Sequence, residues 1–308
     1  MLLFTDPVCL EHPAPPGYPE RPERLAGVLA ALRTLAGVEE VETALPDGLE
    51  ESILALHDEE YVRRFERAVG RGDGLLDSAD NPIGRRTHAA AMAAVAAAVA
   101  AGDAVGSGRA PRAFVAVRPP GHHAERDRAM GFCFFNQAAI VAERAIARHG
   151  ASRVAIVDFD VHHGNGTQHL FEERGDVLYA SLHQWPFYPG TGAARERGRG
   201  EGEGATLNLP LPAGTGDEGY AAAFRDALLP ELEAFSPDLL VVSAGFDAWR
   251  DDPLGGMRVS EPAFGEWGAW LREAAESSCG GRMVSLLEGG YDLSALPNLV
   301  GTYCRNML

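Results

Sequence analysis

Six short apolar runs, separated by helical patterns, limit the folds of this chain more than any other feature. The runs are AFVAV (113–117), VAIVDF (154–159), VLYASL (177–182), ATLNL (205–209), LLVVSA (239–244) and MVSLL (283–287). Short apolar runs of this kind are typical of strands that are buried on both faces of a parallel sheet. The sequence therefore predicts an α/β fold around a mostly parallel sheet.

Amphipathic and alanine-rich segments between and around these runs predict the helices. They cover 22–35, 87–101, 136–149, 217–235 and 261–278. We expect Gly102 and Gly150 to end the second and third of these helices. We expect Pro230 to kink the fourth helix and Ser260 to cap the fifth. No linker or repeat divides the chain, so we expect one domain over 1–308, with the glycine-rich and charged segment 192–204 as a solvated loop.

Composition excludes several classes of function. The formal net charge of −17 argues against a nucleic-acid partner and weakly favours cationic substrates. The sequence contains no lysine, which excludes Schiff-base chemistry, a phosphate-loop lysine and pyridoxal attachment. Its 4 cysteines lie far apart without a CxxC pair, which argues against a disulfide framework and a thiolate zinc site.

No apolar stretch is long enough to predict a membrane span. The alanine-rich run at 89–101 is too short and only weakly hydrophobic, and Asp6 and Pro7 interrupt the N-terminal segment before a signal-peptide core forms. We therefore expect a cytoplasmic protein without membrane contact. The sequence leaves the oligomeric state open, a homo-oligomer included.

Polar clusters follow five of the apolar runs, always at the carboxyl end. RPPGHH follows AFVAV, DVHHGN follows VAIVDF, HQWPFYPGTG follows VLYASL, GFDAW follows LLVVSA, and EGGY follows MVSLL. In open parallel sheets, ligands bind at the edge where the strands end. We therefore expect these five segments to converge on one site.

The cluster after VAIVDF has the composition of a metal site. Asp158, Asp160 and His162 are spaced by two residues, so in extended backbone they share one face. Together with Asp247 from another strand end, Asp160 and His162 can bind one metal through two carboxylates and one imidazole. Three protein ligands with an open position are typical of catalytic zinc, and the oxygen-rich set also suits Fe²⁺, Co²⁺ or Mn²⁺. Asp158 is either a further ligand or a carboxylate that orients an imidazole, and we favour the second interpretation.

Two further elements have catalytic chemistry. His122 and His123 follow a rigid Pro-Pro-Gly turn, and adjacent imidazoles beside a metal can divide proton transfer and electrostatic stabilisation between them. Gly289 and Gly290 allow the backbone to approach a ligand closely, and the phenol of Tyr291 can donate a hydrogen bond to an oxyanion. Taken alone, tandem histidines also occur in surface loops, and a lone tyrosine is usually a packed aromatic residue.

Taken together, these segments resemble the zinc-dependent histone deacetylase family, including its bacterial histone deacetylase-like amidohydrolase and acetylpolyamine amidohydrolase branches. The likeness follows the family's order over almost the whole chain, through PERPERL (19–25), RPPGHH, GFCFFN (131–136), DFDVHHGNGTQ, SLHQWPFYPGTG, SAGFDAWRDDPLG and LEGGY. It implies an arginase/deacetylase-like three-layer fold with a central, mostly parallel sheet of eight strands. It also implies an enzyme that removes acetyl or other short acyl groups from acyl-lysine or a similar amine.

The resemblance implies roles for individual residues. The residues that match the zinc ligands are Asp160, His162 and Asp247. His123 matches the general base that later protonates the leaving amine, and His122 matches its electrostatic partner, which Asp158 orients. Tyr291 matches the tyrosine that polarises the scissile carbonyl.

Substrate and potassium sites are also implied. The residues matched to the substrate channel and its rim are Gly131, Phe132, Tyr188, Leu254, Gly290 and Asp80, the last as the carboxylate that holds the substrate backbone. The residues that resemble a structural potassium site are Asp158, Asp160, His162, Ser181 and Leu182. Asn165 stands where some members of the family have an aspartate and others an asparagine, and Tyr18 stands where a histidine is common.

Three alternatives stay open. A two-manganese ureohydrolase needs a further aspartate two residues after a ligand histidine, where this chain has Gly164. An acetylpolyamine amidohydrolase is favoured by the acidic charge with Asp251 and Asp252, and disfavoured by Leu254, which stands where a polyamine-selective member carries a gating glutamate. A non-catalytic acyl-lysine or small-molecule binder is disfavoured because Tyr291 and all three ligands are present. The physiological substrate, acyl chain length and native metal are left open.

Overall fold

A single eight-stranded sheet forms the centre of the protein. In the computed structural model, which describes Met1–Leu308, the sheet order is β2-β1-β5-β10-β9-β6-β7-β8 and every pairing within it is parallel. Its strands are β1 (Leu2–Phe4), β2 (Glu39–Val41), β5 (Arg112–Val115), β6 (Val154–Asp158), β7 (Val177–Gln184), β8 (Thr206–Leu211), β9 (Leu239–Ala244) and β10 (Met283–Leu287). A separate antiparallel hairpin pairs β3 (Leu75–Leu76) with β4 (Ser78–Pro82).

Helices cover both faces of the sheet. They are α1 (Pro22–Leu32), α2 (Leu49–Leu54), α3 (Glu59–Arg71), α4 (Thr87–Gly106), α5 (Gln137–His149), α6 (Asn165–Phe171), α7 (Asp217–Ala223), α8 (Leu229–Phe235), α9 (Glu261–Cys279) and α10 (Leu296–Met307). Helices α4 and α5 pack on each other and on the sheet, with α2 and α3 beside them, while α1, α8, α9 and α10 pack together as a second group. The three-layer α/β fold with an eight-stranded sheet is confirmed.

The central strands are apolar because both of their faces are covered. All residues of β6, β7, β9 and β10 are buried, and their apolar residues belong to one hydrophobic core that also includes side chains of α4, α5 and α9. Each of the six predicted strands is present. Strands β1 and β2 were missed, because a strand of three residues is too short to give a pattern in the sequence.

Of the three residues predicted to end or cap a helix, Gly150 does so, whereas Gly102 and Ser260 do not. Gly102 does not end α4, because it is buried inside the helix, which continues to Gly106. Gly150 does end α5, in the left-handed conformation that favours glycine. Ser260 stands at the N-cap of α9, but its hydroxyl donates to Asp217 Oδ2 at 2.6 Å and does not cap the helix.

The predicted long helix at 217–235 is interrupted rather than continuous. A π-helical turn, Phe224–Leu228, separates α7 from α8, and Pro230 lies in the first turn of α8. A proline inside a helix removes one backbone donor and clashes with the preceding turn, and the wider π turn accommodates both effects. The helix is therefore irregular just before Pro230, where the sequence predicted a kink.

Helix α4 is long enough and apolar enough to cross a membrane by length and composition alone, contrary to the expectation from the run at 89–101. However, 67% of the apolar stretch of this helix is buried inside the protein. Burial of this extent is typical of a core helix. The segment 192–204 is mostly exposed, as predicted, although the Glu196 carboxylate binds the backbone N–H groups of Gly192 and Ala193.

Candidate active site

Four neighbouring strands place their polar clusters at one edge of the sheet. Strands β5, β10, β9 and β6 lie side by side in that order, and all run in the same direction. The segments that leave their carboxyl ends are RPPGHH, EGGY, GFDAW and DVHHGN. The predicted convergence of these segments is therefore observed, although they are separated by up to about half of the chain.

Three side chains form a group that could hold a metal ion, and we refer to them as the metal-binding group. The ligand atoms of Asp160, His162 and Asp247 all lie within 4.8 Å of one another. His162 Nδ1 is 3.1 Å from Asp160 Oδ1 and 3.1 Å from Asp247 Oδ2. Both carboxylates are also held by the backbone, because Gly289 N–H donates to Asp160 and Val161 N–H donates to Asp247, each at 2.8 Å.

The electrostatics of this group fit a cation. Burial and repulsion from Asp160 raise the pKa of the Asp247 carboxyl to about 7. Burial alone would lower the pKa of His162, but its hydrogen bonds to the two carboxylates raise it to about 10. Two carboxyl groups thus share one buried position with a positive imidazole between them. A divalent metal would replace that positive charge and bind the same three atoms, so the donor set fits zinc and also Fe²⁺, Co²⁺ or Mn²⁺.

The tandem histidines are both buried, and each is held by a different partner. His122 Nδ1 lies 3.0 Å from Asp158 Oδ2, and His123 Nδ1 lies 2.7 Å from Asn165 Oδ1. Burial would lower the pKa of His122, but the charges of Asp158 and Asp160 raise it to about 10. Burial and the neighbouring positive imidazoles of His122 and His162 keep the pKa of His123 well below its ordinary value. The two rings are therefore suited to different states, His122 charged and His123 neutral.

Tyr291 completes this edge of the site. Its backbone N–H donates to Asp252 Oδ2 at 2.7 Å, and the guanidinium of Arg24 lies over its ring, 4.6 Å from the centroid. Burial raises the pKa of the phenol well above its ordinary value, so the hydroxyl stays a proton donor at neutral pH. No hydrogen bond within the chain engages that hydroxyl, which leaves it available to a ligand.

A cavity of about 290 Å³ opens from the metal-binding group to the surface. The lining residues are Asp80, His123, Gly131, Phe132, His162, Phe187, Tyr188, Leu254 and Tyr291. Eight of these were predicted as site residues from the sequence. The ninth, Phe187, was missed, although its ring stacks on the His162 ring at 5.3 Å. The sequence HQWPFYPGTG contains three neighbouring aromatic residues, and no pattern tells which of them faces the cavity.

The hairpin β3–β4 shapes the wall of this cavity. Asp80 Oδ2 accepts hydrogen bonds from Gly131 N–H at 3.1 Å and from the Tyr188 hydroxyl at 2.8 Å. Phe132 N–H donates to Asn81 Oδ1 at 2.8 Å, which holds Phe132 at a φ of 69°, a conformation uncommon for a non-glycine residue. The rim carboxylate predicted at Asp80 therefore faces the cavity, but it also positions the channel residues around it.

Tyr18, to which the sequence assigned no role, belongs to the same wall of the cavity. Its hydroxyl donates to the backbone carbonyl of Asp80 at 2.6 Å, and its ring packs against Phe132 with the centroids 5.4 Å apart. The tyrosine therefore supports the hairpin that carries Asp80.

Several predicted residues lie near the site without lining the cavity. Asp158 orients His122 and is not one of the three metal-binding side chains. Gly290 was predicted to contact substrate, but its carbonyl accepts from Arg24 Nε at 2.6 Å. Ser181 lies beside Asp158 in the register of β6 and β7, and Leu182 follows it, so these residues are adjacent at the sheet edge.

Buried ionic partners of the catalytic segments were missed. Glu288 accepts hydrogen bonds from the backbone N–H groups of Gly121 and His122, and burial raises its pKa to about 7. Arg24 joins the carbonyls of Glu288 and Gly290 to the carboxylate of Glu20. The motif PERPERL contains Glu20 and Arg24. Nothing in the motif indicates that Arg24 binds the carbonyl of Gly290, about 266 residues away.

Comparisons of sequence and structure match the chain to deacetylases and related amidohydrolases. The family described as "Histone deacetylase domain" matches residues 18–307. The chain is 42% identical over 316 residues to the histone deacetylase-like amidohydrolase of Pseudomonas aeruginosa, covering 96% of this chain and 82% of that protein. It is 38% identical over 321 residues to human polyamine deacetylase HDAC10, covering 100% of this chain and 46% of that protein. Among solved structures, an acetylpolyamine aminohydrolase from Burkholderia pseudomallei superposes with a TM-score of 0.90 at 34% identity, covering 100% of this chain and 98% of that one.

Proposed function

The chain belongs to the histone deacetylase family and is a deacetylase-type hydrolase of amide bonds, and from this we propose that it is a zinc-dependent deacylase of acyl-lysine side chains or similar amines. The observation that carries the proposal is one cavity of about 290 Å³ with His162, His123 and Tyr291 in its lining. An amide carbonyl at this position meets a metal-binding group, an imidazole and a phenol at once. A metal can activate water and polarise the carbonyl, an imidazole can transfer protons, and a phenol can donate a hydrogen bond to the oxyanion, so together the three groups can hydrolyse an amide.

We propose Asp160, His162 and Asp247 as the residues that hold the zinc ion. Zinc, when bound, would polarise the carbonyl and lower the pKa of water to near 7. The same three ligands suit Fe²⁺, Co²⁺ or Mn²⁺, so the native metal is a matter for measurement. A structural potassium ion is proposed beside it, with ligands from Asp158, Asp160, His162, Ser181 and Leu182.

The residues of the chain supply the proton transfers. His123, neutral because of burial and its positive neighbours, accepts a proton from the attacking water at Nε2. The same nitrogen then donates this proton to the leaving amine. His122, charged and paired with Asp158, stabilises negative charge at the carbonyl. The Tyr291 hydroxyl donates a hydrogen bond to the oxyanion, a contribution of about 3 kcal/mol at a preorganised site.

Acyl-lysine is the preferred substrate class, and an acetylated polyamine is the second candidate. Leu254 lines the cavity, and an apolar residue at this position does not pair with a second amine of a polyamine. The net charge of −17 weakly favours a cationic substrate and so supports the second candidate, because acylation removes the charge of a lysine side chain while an acetylated polyamine keeps a free ammonium group. We further propose that the protein acts in the cytoplasm as one catalytic domain over residues 1–308.

A parallel turnover assay tests this proposal. The zinc-loaded enzyme is given an acetyl-lysine peptide, acetylputrescine and acetylspermidine, each with and without a chelator. We expect chelator-sensitive turnover that is fastest on the peptide. Faster turnover of the polyamines would make the protein a polyamine deacetylase. No turnover of any substrate, with metal bound, would favour an acyl-lysine or small-molecule binding protein.

A further inference from the structure

A chain of hydrogen bonds leads from His123 to the surface of the protein. His123 Nδ1 lies 2.7 Å from Asn165 Oδ1, and Asn165 Nδ2 donates to Glu125 Oε1 at 2.5 Å. The Glu125 carboxylate in turn faces His169 Nδ1, at 2.8 and 3.0 Å from its two oxygens. Asn165 and Glu125 are buried, whereas His169 is exposed.

The two catalytic imidazoles are thus held differently. His122 Nδ1 faces the carboxylate of Asp158 directly, and both carboxylate oxygens can only accept. His123 Nδ1 faces an amide, which presents either an acceptor oxygen or a donor NH₂ group. If Asn165 turned its NH₂ group toward His123, Nδ1 would have to accept, and the ring proton would move to Nε2. His123 would then have no lone pair at the nitrogen that faces the cavity.

The Glu125 carboxylate is the strong acceptor that selects one orientation, because its Oε1 lies 2.5 Å from Asn165 Nδ2, whereas the backbone carbonyl of His123 lies 3.4 Å away. Burial alone would raise its pKa, but the hydrogen bonds and charge of His169, with the hydrogen bond from Asn165, lower it, so Glu125 is ionised at neutral pH. An ionised carboxylate only accepts hydrogen bonds, so the NH₂ group of Asn165 must point toward it. The amide oxygen then points toward His123, Nδ1 carries the ring proton, and Nε2 is free to accept one.

We propose that Glu125 is a positioning residue that, by orienting the Asn165 amide, fixes the tautomer of His123 in which Nε2 is the base. This inference rests on the proposed role of His123 as general base. Glu125 does not line the cavity and contacts neither the metal-binding group nor the substrate channel. Its effect is therefore expected on kcat and not on KM.

The first test replaces Glu125 by Leu and by Gln. We expect Glu125→Leu to lower kcat roughly 10- to 100-fold, the loss that follows when one hydrogen bond to a charged group no longer selects the orientation. KM on the acetyl-lysine peptide and the zinc content should stay within about twofold. Glu125→Gln should keep most of kcat, because the Gln oxygen can accept from Asn165 while its NH₂ group faces His169.

The second test is a rescue variant. An aspartate at position 165 has two acceptor oxygens and needs no orientation, so Glu125→Leu combined with Asn165→Asp should recover most of the lost kcat. A merely structural role of Glu125 would not be rescued by this change. The matched control is Glu196→Leu, which breaks a similar chain through Gln168 to His163. His163 does not line the cavity, so kcat should stay within about twofold.

A readout without substrate separates this inference from the proposed function. Long-range ¹H–¹⁵N spectra of the His123 ring, assigned by comparison with His123→Gln, report which nitrogen carries the proton. Wild type should be protonated at Nδ1, and Glu125→Leu should show both tautomers. An inactive wild type with this spectrum would refute the proposed function alone. Unchanged kcat and an unchanged spectrum in Glu125→Leu would refute the role of Glu125 alone.

Discussion

Replacing Glu20 by glutamine should destabilise the protein far more than the same change at the surface. The Glu20 carboxylate is buried and accepts two hydrogen bonds from Arg118, both at 2.6 Å. It also accepts from Arg24 at 3.1 Å, and Arg24 holds the carbonyls of Glu288 and Gly290 beside Tyr291. Glutamine has nearly the same shape, but it leaves two buried guanidinium groups without a counter-charge.

The cost follows from the pKa of Glu20. Burial opposes ionisation, but the charge of Arg118 and its other partners lower the pKa from 4.5 to about 2. At about 1.4 kcal/mol for each pH unit, this corresponds to about 3 kcal/mol of native-state stability. Breaking a buried ion pair by removing one partner typically costs 3–5 kcal/mol, roughly the same value. For a chain of 308 residues, a loss of about 3–5 kcal/mol should lower the Tm by about 5–8 °C.

The sign of the pH dependence is fixed, because the pKa of Glu20 is lower in the native state than in the unfolded chain. The stabilisation is complete above pH 4.5 and is lost as the pH falls from 4.5 towards 2. The free-energy gap between wild type and Glu20→Gln should therefore be about 1 kcal/mol smaller at about pH 3.5 than at about pH 7.5. Urea unfolding followed by tryptophan fluorescence at both pH values measures this gap.

Glu40 supplies the matched control. It forms a similar two-pronged pair with Arg33, at 2.6 and 2.8 Å, but the two side chains are 36% and 53% exposed. Surface pairs contribute about 1 kcal/mol or less, so Glu40→Gln should barely change the free energy of unfolding. Equal losses in the two variants, or a Glu20→Gln gap that does not change with pH, would refute the assignment of this stability to buried charge.

Three further predictions concern the site. His162→Ala should abolish stoichiometric zinc binding, measured by elemental analysis after gel filtration, and an intact stoichiometry would contradict the ligand assignment. Tyr291→Phe should lower kcat roughly 100-fold or more with zinc content unchanged, and retained turnover would remove the oxyanion role. Gly289→Ala would press a methyl group against both metal-binding carboxylates and should weaken zinc affinity at least about tenfold. Gly301→Ala, where a methyl group meets nothing within 4 Å, is its control, and equal zinc affinity in both variants would contradict the steric argument.

The elements of the fold that could be predicted are those whose burial produces a run of apolar residues in the sequence. Strands β9 and β10 were placed with their observed bounds, because each is a continuous apolar run. The helix α4 was cut short at Gly102, because glycine is a poor helix residue in general. In the structure a side chain at Gly102 would crowd Val141 of α5, so a residue without one allows the two helices to pack. Such a packing requirement depends on a segment about 39 residues away and leaves no local signal.

The sequence predicted the residues that face the cavity, but it did not predict most of the buried residues that hold them in place. His123, His162 and Tyr291 follow apolar runs, so the topology of a parallel sheet brings them to one edge. Glu125 and Glu288 follow the same runs, but a carboxylate in a loop is usually a solvated group. Their importance depends on burial and on which donors surround them, and both properties arise only when distant segments pack together.

The same sheet edge buries more acidic groups than the chain itself neutralises. Asp158, Asp160, Asp247 and Glu288 are all buried near one sheet edge, where burial favours the neutral form of a carboxyl group. Burial raises the pKa of both Asp247 and Glu288 to about 7, so the chain alone holds these groups at a cost. A divalent cation at the metal-binding group offsets repulsion that the chain does not neutralise by itself. Binding of a metal here would therefore stabilise the native state, because the ion would bind a cluster that the unfolded chain does not contain.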